Sequence, residues 1–139
     1  MQIPIIKCYT SSTANYPFCF YILNKGDNSG KPLLKPCPNC FIVICQSHEE
    51  VNFFWTICYG LYESRIFRQD LIGSCIQFIR ITCFKKRFFK AIHTVSGRED
   101  QLQQLVVAFM NFQALRTKLL VSCKSSESLI RSHIINLIK

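Results

Sequence analysis

The stretch SHEEVNFFWTICYGLYESRIFRQDLIGSCIQFIRI, residues 47–81, decides the fold of this chain. Its first half places apolar residues three and four positions apart, which predicts an α-helix with one apolar stripe. The stripe comprises Val51, Phe54, Trp55, Cys58, Leu61 and Tyr62. Because Phe53 and Ile57 widen it beyond one face, we expect a central helix packed on two sides within a small domain.

Further signals mark the start of this helix and the elements after it. Ser47 stands three residues before Glu50, the spacing of a capping box in which each side chain bonds the other residue's amide. A shorter amphipathic helix is predicted to end at Gly73, since glycine tolerates the positive φ of a helix end. Alternation over residues 75–81 predicts a strand of about seven residues. The predicted core gathers one apolar set: Cys45, Phe54, Trp55, Cys58, Leu61, Ile76 and Phe78.

The first 45 residues are predicted to add strands and one long loop. Apolar segments at residues 3–6, 18–23 and 41–45 are typical of strands. Glycines and prolines punctuate residues 24–40, which predicts turns and loop there. This loop is not a phosphate-binding loop, because three rather than four residues separate its glycines and Pro32 follows Lys31. We therefore expect an α+β domain of a few strands around a central helix.

The composition fits a single folded domain. With 139 residues, 49% of them hydrophobic, the chain can bury one core. No apolar run approaches the roughly 18 residues that a membrane span needs. The first residues, MQIPIIKCYTSST, lack the pattern of a secretory signal. We expect a cytoplasmic, reducing location, in which the nine cysteines are mostly small buried hydrophobic residues.

The formal net charge is +9, and the basic residues are clustered. Four of them fall on a second amphipathic helix, predicted at residues 83–93 with Thr82 as its cap: Lys85, Lys86, Arg87 and Lys90. Lys25 and Lys31 lie in the loop. Lysine and arginine contact DNA phosphates without reading sequence, so these six are candidate DNA-binding residues. A merely solvated basic face stays open as the alternative.

Four potential metal ligands have the spacing C-x2-C-x4-C-x2-H: Cys37, Cys40, Cys45 and His48. Their number suits one tetrahedral zinc. However, the strand at residues 41–45 would carry Cys45 away from Cys37 and Cys40, and no second C-x-x-C pair exists. We favour a structural turn and no metal or cofactor. A small zinc-binding protein and a redox pair remain the less favoured alternatives.

Residues 96–139 are predicted to form one long helix after a domain at residues 1–95. Ser96 and Glu99 have capping-box spacing, and no glycine or proline follows residue 97. Apolar residues recur at alternating steps of three and four: Leu102, Leu105, Phe109, Phe112, Leu119, Cys123, Ile130 and Leu137. A helix of about 40 residues extends roughly 60 Å, too far for the domain to cover. We expect it to pair with a second copy or a partner helix.

Two resemblances bear on function. The segments NKGDNSGKPL and PCPNCF, residues 24–33 and 36–41, resemble the signature of a short uncharacterised bacterial family. The succession S-x-x-F at 64–67, LIGS at 71–74 and IQFIRI at 76–81 resembles half of a target recognition domain. Such domains belong to the specificity subunits of type I restriction-modification enzymes and to related adenine methyltransferases. In that family a long helix follows each domain and pairs in an antiparallel coiled coil.

The resemblance implies a non-enzymatic, DNA-binding module similar to half of a specificity subunit. Its partners would be double-stranded DNA, a second copy joined through the C-terminal helix, and a methyltransferase-type subunit. The alternative is an interaction or regulatory protein of the same ancestry that does not bind DNA. An enzyme is the least favoured hypothesis. The sequence has no GxSxG, HExxH or N/D-P-P-Y/F motif, and it has only 8 acidic residues for catalytic work.

Overall fold

The computed structural model describes residues 2–13, 15–95 and 97–138, with side chains described except at 99, 102, 103, 106 and 136–138. The chain divides into two units, residues 1–98 and 99–139. Within the described residues, the first unit holds two small antiparallel sheets with helices, and the second is one long helix. The α+β class and the long C-terminal helix expected from the sequence are confirmed. The predicted box of Ser96 and Glu99 lies outside the described side chains.

The larger sheet has four strands: β1 (Ile5–Cys8), β2 (Cys19–Leu23), β3 (Pro32–Leu33) and β4 (Cys40–Ile44). Their order is β1-β4-β2-β3, and all neighbours are antiparallel. A second sheet pairs β5 (Leu71–Ile72) with β6 (Phe78–Ile79). A backbone bridge between Lys25 and Phe78 joins the loop after β2 to this small hairpin.

The helices are α1 (His48–Glu63), a 3-10 helix (Ile66–Asp70), α2 (Ile81–Val95) and α3 (Glu99–Ile138). Ser47 caps α1 as predicted, because its hydroxyl accepts the Glu50 amide at 3.2 Å. The second predicted bond of the capping box, from the Ser47 amide to the Glu50 side chain, is wrong. The Glu50 carboxylate accepts the amides of Gln46 at 3.0 Å and Gln2 at 3.3 Å, so it ties the chain before β1 to the start of α1.

The core on the helical side of the sheet is built from phenylalanine rings. Phe84 on α2 lies 5.7 Å from Phe41 on β4 and 5.3 Å from Phe67 on the 3-10 helix, measured between ring centroids. Phe88, one turn further along α2, lies 5.9 Å from Phe54 on α1. All five rings are at most 2% exposed. Each of these elements therefore contributes a ring to one shared cluster.

The opposite face of the sheet is also covered. Because side chains alternate along a strand, Tyr21 on β2 and Ile42 on β4, which pair across the strands, point away from the phenylalanine cluster. They are buried together with Cys40. The loop after β1 covers them, with Tyr9 packed edge-on against Tyr21 at 5.3 Å. Burial on both faces explains why β4 is an unbroken apolar run.

The prediction of a seven-residue strand at residues 75–81 is wrong. Only β6 forms there, and Ile76 and Phe78 are 54% and 38% exposed rather than part of the core. The reason is a tight turn: Gly73 has a φ of +111°, and a side chain there would stand 2.4 Å from the Ile76 carbonyl oxygen. The turn uses residues 73–77 to connect β5 and β6. α2 then begins at Ile81, so Thr82 lies inside it rather than at its cap.

Other boundaries also differ from the sequence-based prediction. Trp55 and Leu61 are half-buried, whereas Cys45, Phe54 and Cys58 belong to the core as predicted. The first strand is shifted to begin at Ile5. β3 forms inside the segment predicted to be only loop; its proline is tolerated because β3 is an edge strand. Local sequence signals predicted roughly where these segments lie, but not how far each side chain is exposed.

Two glycines provide a matched test of the packing against Phe67. Gly30 has a φ of +94°, and a Cβ there would lie 2.4 Å from the Phe67 ring. Gly60 lies inside α1 with nothing near its Cβ position. We expect Gly30→Ala to lower the free energy of unfolding by more than about 1 kcal/mol. Gly60→Ala should raise it by up to about 1 kcal/mol. Urea unfolding measures both, and equal effects would contradict the assigned backbone.

Phe54 and Trp55 are adjacent on α1 but differ in burial, since Phe54 is 1% exposed and Trp55 is half-buried. We expect Phe54→Ala to cost about 3 to 5 kcal/mol, the range for a buried large aromatic residue. Trp55→Ala should cost less. Urea unfolding of the two variants checks the order, and a Trp55→Ala variant less stable than Phe54→Ala would show that the helix is rotated.

Candidate nucleic-acid interface

The basic cluster on α2 is divided by the way the helix packs. Phe84 and Phe88 are buried one turn apart and fix the inner face of the helix. Lys86 and Lys90, also one turn apart, are exposed, whereas Lys85 is only half-exposed. The two exposed lysines therefore form a ladder on the outer face of α2, which we call the lysine ladder.

Arg87 has a different role from its basic neighbours. Its Nε donates to the Asp70 carboxylate at 2.6 Å and its Nη2 donates to the other Asp70 oxygen at 3.1 Å. A third bond, 3.4 Å long, reaches the Gln69 side chain. Hydrogen bonding to Asp70 raises the pKa of the Arg87 guanidinium. This two-pronged ion pair ties α2 to the 3-10 helix, so the structure places Arg87 in an internal contact rather than among the free cations.

The lysine ladder has no acidic residue on its own helix. The α2 sequence, ITCFKKRFFKAIHTV, contains no acidic residue. Like charges four residues apart destabilise a helix by a few tenths of a kcal/mol. Lys86 and Lys90 have this spacing. The Asp70 carboxylate, which the structure places against α2, bonds Arg87 instead of either lysine. An external anion would relieve the repulsion.

The loop that carries Lys25 and Lys31 is folded tightly. The Ser29 hydroxyl donates to the Gly26 carbonyl at 2.6 Å, and the Tyr62 hydroxyl of α1 donates to the Asn28 side chain at 2.9 Å. The Gly26 amide donates to the Gln77 carbonyl in the β5–β6 turn at 2.7 Å. Both lysines are exposed. A loop that is already folded presents its charges with little cost for ordering its backbone on binding.

Three further exposed arginines, which the sequence analysis did not select, lie on the elements that hold this loop: Arg65, Arg68 and Arg80. The first two flank Phe67, which packs under Gly30, and the third follows β6. Together with Lys25 and Lys31 they form what we call the basic corner. Asp27 and Glu63 are exposed on the same elements and offset part of its charge. These residues are up to 55 positions apart in the chain, so no local sequence pattern indicates that they belong to one group.

The structure does not bring the four potential metal ligands together. Cys37 lies before β4 and Cys40 is its first residue; the Cys40 thiol donates to the Cys37 carbonyl at 2.9 Å, and Asn39 between them adopts a φ of 62°. Cys45 follows the far end of β4, and His48 packs edge-on against Phe18. Among the described residues, no three histidine, cysteine or acidic side chains are grouped as metal ligands. Pro38 and Asn39 supply the turn between Cys37 and Cys40.

The buried cysteines are not activated thiols. Burial raises the pKa of Cys40 to about 11 and that of Cys45 to about 12. Burial also raises the pKa of Cys58, which is completely enclosed, well above its ordinary value. A redox or nucleophilic cysteine needs the opposite shift, because the thiolate is the reactive form. These residues act as small apolar side chains.

α3 exposes apolar side chains along its length. Residues at least 44% exposed include Leu105, Val107, Met110, Phe112, Leu115, Leu119, Leu120, Val121, Leu129, Ile130, Ile134 and Ile135. Within the described part of the chain, no helix is long and apolar enough to cross a membrane.

The fold and charges define a small α+β protein with a basic outer helix and a long, apolar C-terminal helix. Residues 6–136 match the family of unknown function DUF6943. The match covers nearly the whole chain, so the protein belongs to that family. No curated protein and no solved structure matches it. Because the family has no described activity, the resemblance to target recognition domains stays a prediction.

The burial of Cys58 predicts a loss of stability at alkaline pH. Its folded-state pKa is raised above the ordinary 9.0, so above that pH the unfolded thiol loses a proton that the folded thiol keeps. The contribution of the protonated Cys58 thiol to the free energy of unfolding is therefore fully present below pH 9 and is lost as the pH rises. In Cys58→Ala we expect this fall to be shallower by up to about 1.4 kcal/mol per pH unit.

Urea unfolding between pH 7 and 10.5 measures this effect. Cys75→Ala serves as the control, because it removes an exposed thiol rather than a buried one. A Cys58→Ala protein with the native pH dependence would show that the thiol titrates normally in the folded state.

Proposed function

We propose that this protein is a non-enzymatic module that binds double-stranded DNA through its backbone phosphates, similar to half of a type I specificity subunit. The observation that carries the proposal is the lysine ladder, Lys86 and Lys90, exposed on a helix that has no acidic residue. In this proposal the protein acts in the reducing cytoplasm, where its cysteines remain thiols.

Duplex DNA suits this surface for a physical reason. B-DNA carries one negative charge for every 1.7 Å or so of its axis, and each phosphate neutralised by lysine releases condensed counter-ions. Residues four apart on a helix stand about 5 to 6 Å from each other, so both lysines of the ladder can reach one strand of phosphates. Positioning by phosphate contacts carries no sequence information by itself. The ladder therefore supports DNA affinity rather than a particular target sequence.

The basic corner extends the proposed surface within the same unit. Its loop is joined through β6 to the start of α2, since the Ile79 amide donates to the Asn24 carbonyl at 2.9 Å. Lys25 and Lys31 are thus candidate secondary contacts. Of the six residues selected from sequence, Lys86 and Lys90 are the best placed, Lys85 is partly covered, and Arg87 serves the ion pair with Asp70.

A catalytic role has less support. Two of the few carboxylates have structural partners: Asp70 bonds Arg87, and Glu50 bonds the amides of Gln2 and Gln46. The buried thiols have raised pKa values. In the proposal, any chemistry on DNA would belong to a partner, and the resemblance suggests a methyltransferase-type subunit for that role.

A second candidate is an interaction or regulatory protein that does not bind DNA. The apolar surface of α3 favours it, because exposed apolar stripes of this length usually mark an interaction surface. In that case the lysine ladder is only a solvated face.

Replacing Lys86 and Lys90 together by glutamine tests the proposal. We expect weaker binding to duplexes of any sequence and a flatter dependence of log K on log salt, by roughly 0.9 for each phosphate that is no longer neutralised. Fluorescence anisotropy over a salt series measures both. The matched control is Lys118→Gln with Lys124→Gln, which removes the same charge from α3.

Two results would contradict the proposal. If the two double variants lose the same affinity, binding follows net charge and not the lysine ladder. If the native protein shows no binding to duplex at low salt, the interaction protein becomes the better description.

A further inference from the structure

The exposed apolar stripe of α3 contains polar interruptions that limit how it can be covered. Phe112, Leu119 and Ile130 lie on the stripe and are 60 to 65% exposed. Arg116 and Ser126 occupy positions of the same stripe in the repeat of three and four, and Glu127 borders it. A partner must satisfy these polar groups as well as bury the apolar ones.

A parallel pairing of two copies fails this condition. Parallel in-register helices place each stripe residue against its own copy. Arg116 would then meet Arg116 of the second copy, with two like charges inside an apolar seam. No acidic residue lies three or four positions from Arg116 to offset this.

An antiparallel pairing satisfies the same residues. We propose that α3 pairs with the α3 helix of a second copy of this chain, antiparallel and centred at the level of Val121. Residues equally far before and after that level then face each other. Phe112 meets Ile130, Leu119 meets Cys123, and Arg116 meets Ser126 of the other copy. Apolar side chains thus meet mostly apolar ones, and the charged Arg116 meets a polar residue, while His133 faces Phe109 of the other copy.

The flanking positions agree with this register. Glu127 of the second copy comes within one residue of Arg116, about 1.5 Å along the axis, so each pair contains two Arg116–Glu127 ion pairs by symmetry. Leu115 comes beside Leu129 of the other copy, and Leu120 comes beside Leu120 of the other copy. All three leucines are more than half exposed in the single chain.

Neighbouring registers do not reproduce the match. Sliding one helix by seven residues, about 10 Å, takes Arg116 away from Glu127. In one direction Arg116 then meets Leu119, which leaves a charge in an apolar layer. In the other direction it meets His133, and fewer layers overlap. The charge complementarity thus selects both the second copy as occupant and one register.

Charge reversal tests the pairing. We expect the native protein to be a dimer of twice 16.2 kDa, and Arg116→Glu or Glu127→Arg alone to weaken dimerisation on the order of tenfold or more. The double variant Arg116→Glu, Glu127→Arg should recover the native dissociation constant. These residues are 11 positions apart in one helix, too far to contact each other within a chain. Sedimentation over a range of concentrations measures the dissociation constants.

The control is Lys118→Glu, the same kind of charge change two residues away on the outer side of the repeat, which should leave the dimer intact. Circular dichroism of each variant checks that α3 remains helical. A native monomer at all concentrations overturns the proposal. A double variant that is helical but fails to recover also overturns it.

Cysteine cross-linking tests the direction independently. In a background of Cys8→Ser, Cys75→Ser and Cys123→Ser, which removes the exposed thiols, we introduce Phe112→Cys and Ile130→Cys. Under a mild oxidant, the double variant should form covalent dimers and neither single variant should. Single variants that cross-link as well as the double one would indicate a parallel pair. Dimerisation does not depend on DNA, so these outcomes and those of the DNA-binding test are distinguishable.

Discussion

The packing of the first unit, residues 1–98, depends on one side chain, Phe84, whose ring contacts three other aromatic rings. Phe41 brings the sheet, Phe67 brings the 3-10 helix, and Phe88 brings the side of α2 that packs on Phe54 of α1. A small domain has few buried positions, so aromatic rings supply much of the apolar area available to it. The same contact explains Gly30, because the Phe67 ring occupies the space of a side chain there.

This packing also determines which charges are free. With Phe84 and Phe88 turned inward, the positions two residues after each of them must face outward, and these are Lys86 and Lys90. Arg87 lies to one side, where Asp70 at the end of the 3-10 helix can reach it. One cluster of basic residues in the sequence is thus separated by the fold into a structural cation and an exposed pair. The proposed function follows from this separation rather than from the total charge.

Much of the fold could be predicted from the sequence where the signal was long. The stripe of α1 and its cap at Ser47, the apolar strand β4 and the uninterrupted α3 all span several repeats of their periodicity. The alternation after Gly73 spans too few residues to distinguish a strand from a turn followed by a helix. Trp55 was misjudged because periodicity gives a residue's face and not how far the domain extends over it.

The candidate site was predictable only in part. The lysines of α2 are visible as a cluster, but the pairing of Arg87 depends on Asp70, 17 positions away, and no local pattern indicates it. The basic corner depends on the packing of Gly30 against Phe67, which a sequence shows only as two separate residues. Contacts of this kind are set by tertiary packing, which overrides local propensity.

The most direct test is to map which lysines duplex DNA covers. Mild acetylation of the native protein, with and without duplex at low salt, followed by mass spectrometry, gives the protection of each lysine. The account predicts strong protection of Lys86 and Lys90, weaker protection of Lys25 and Lys31, and none of Lys118 or Lys124. Equal reactivity of Lys86 and Lys90 with and without bound DNA would contradict it.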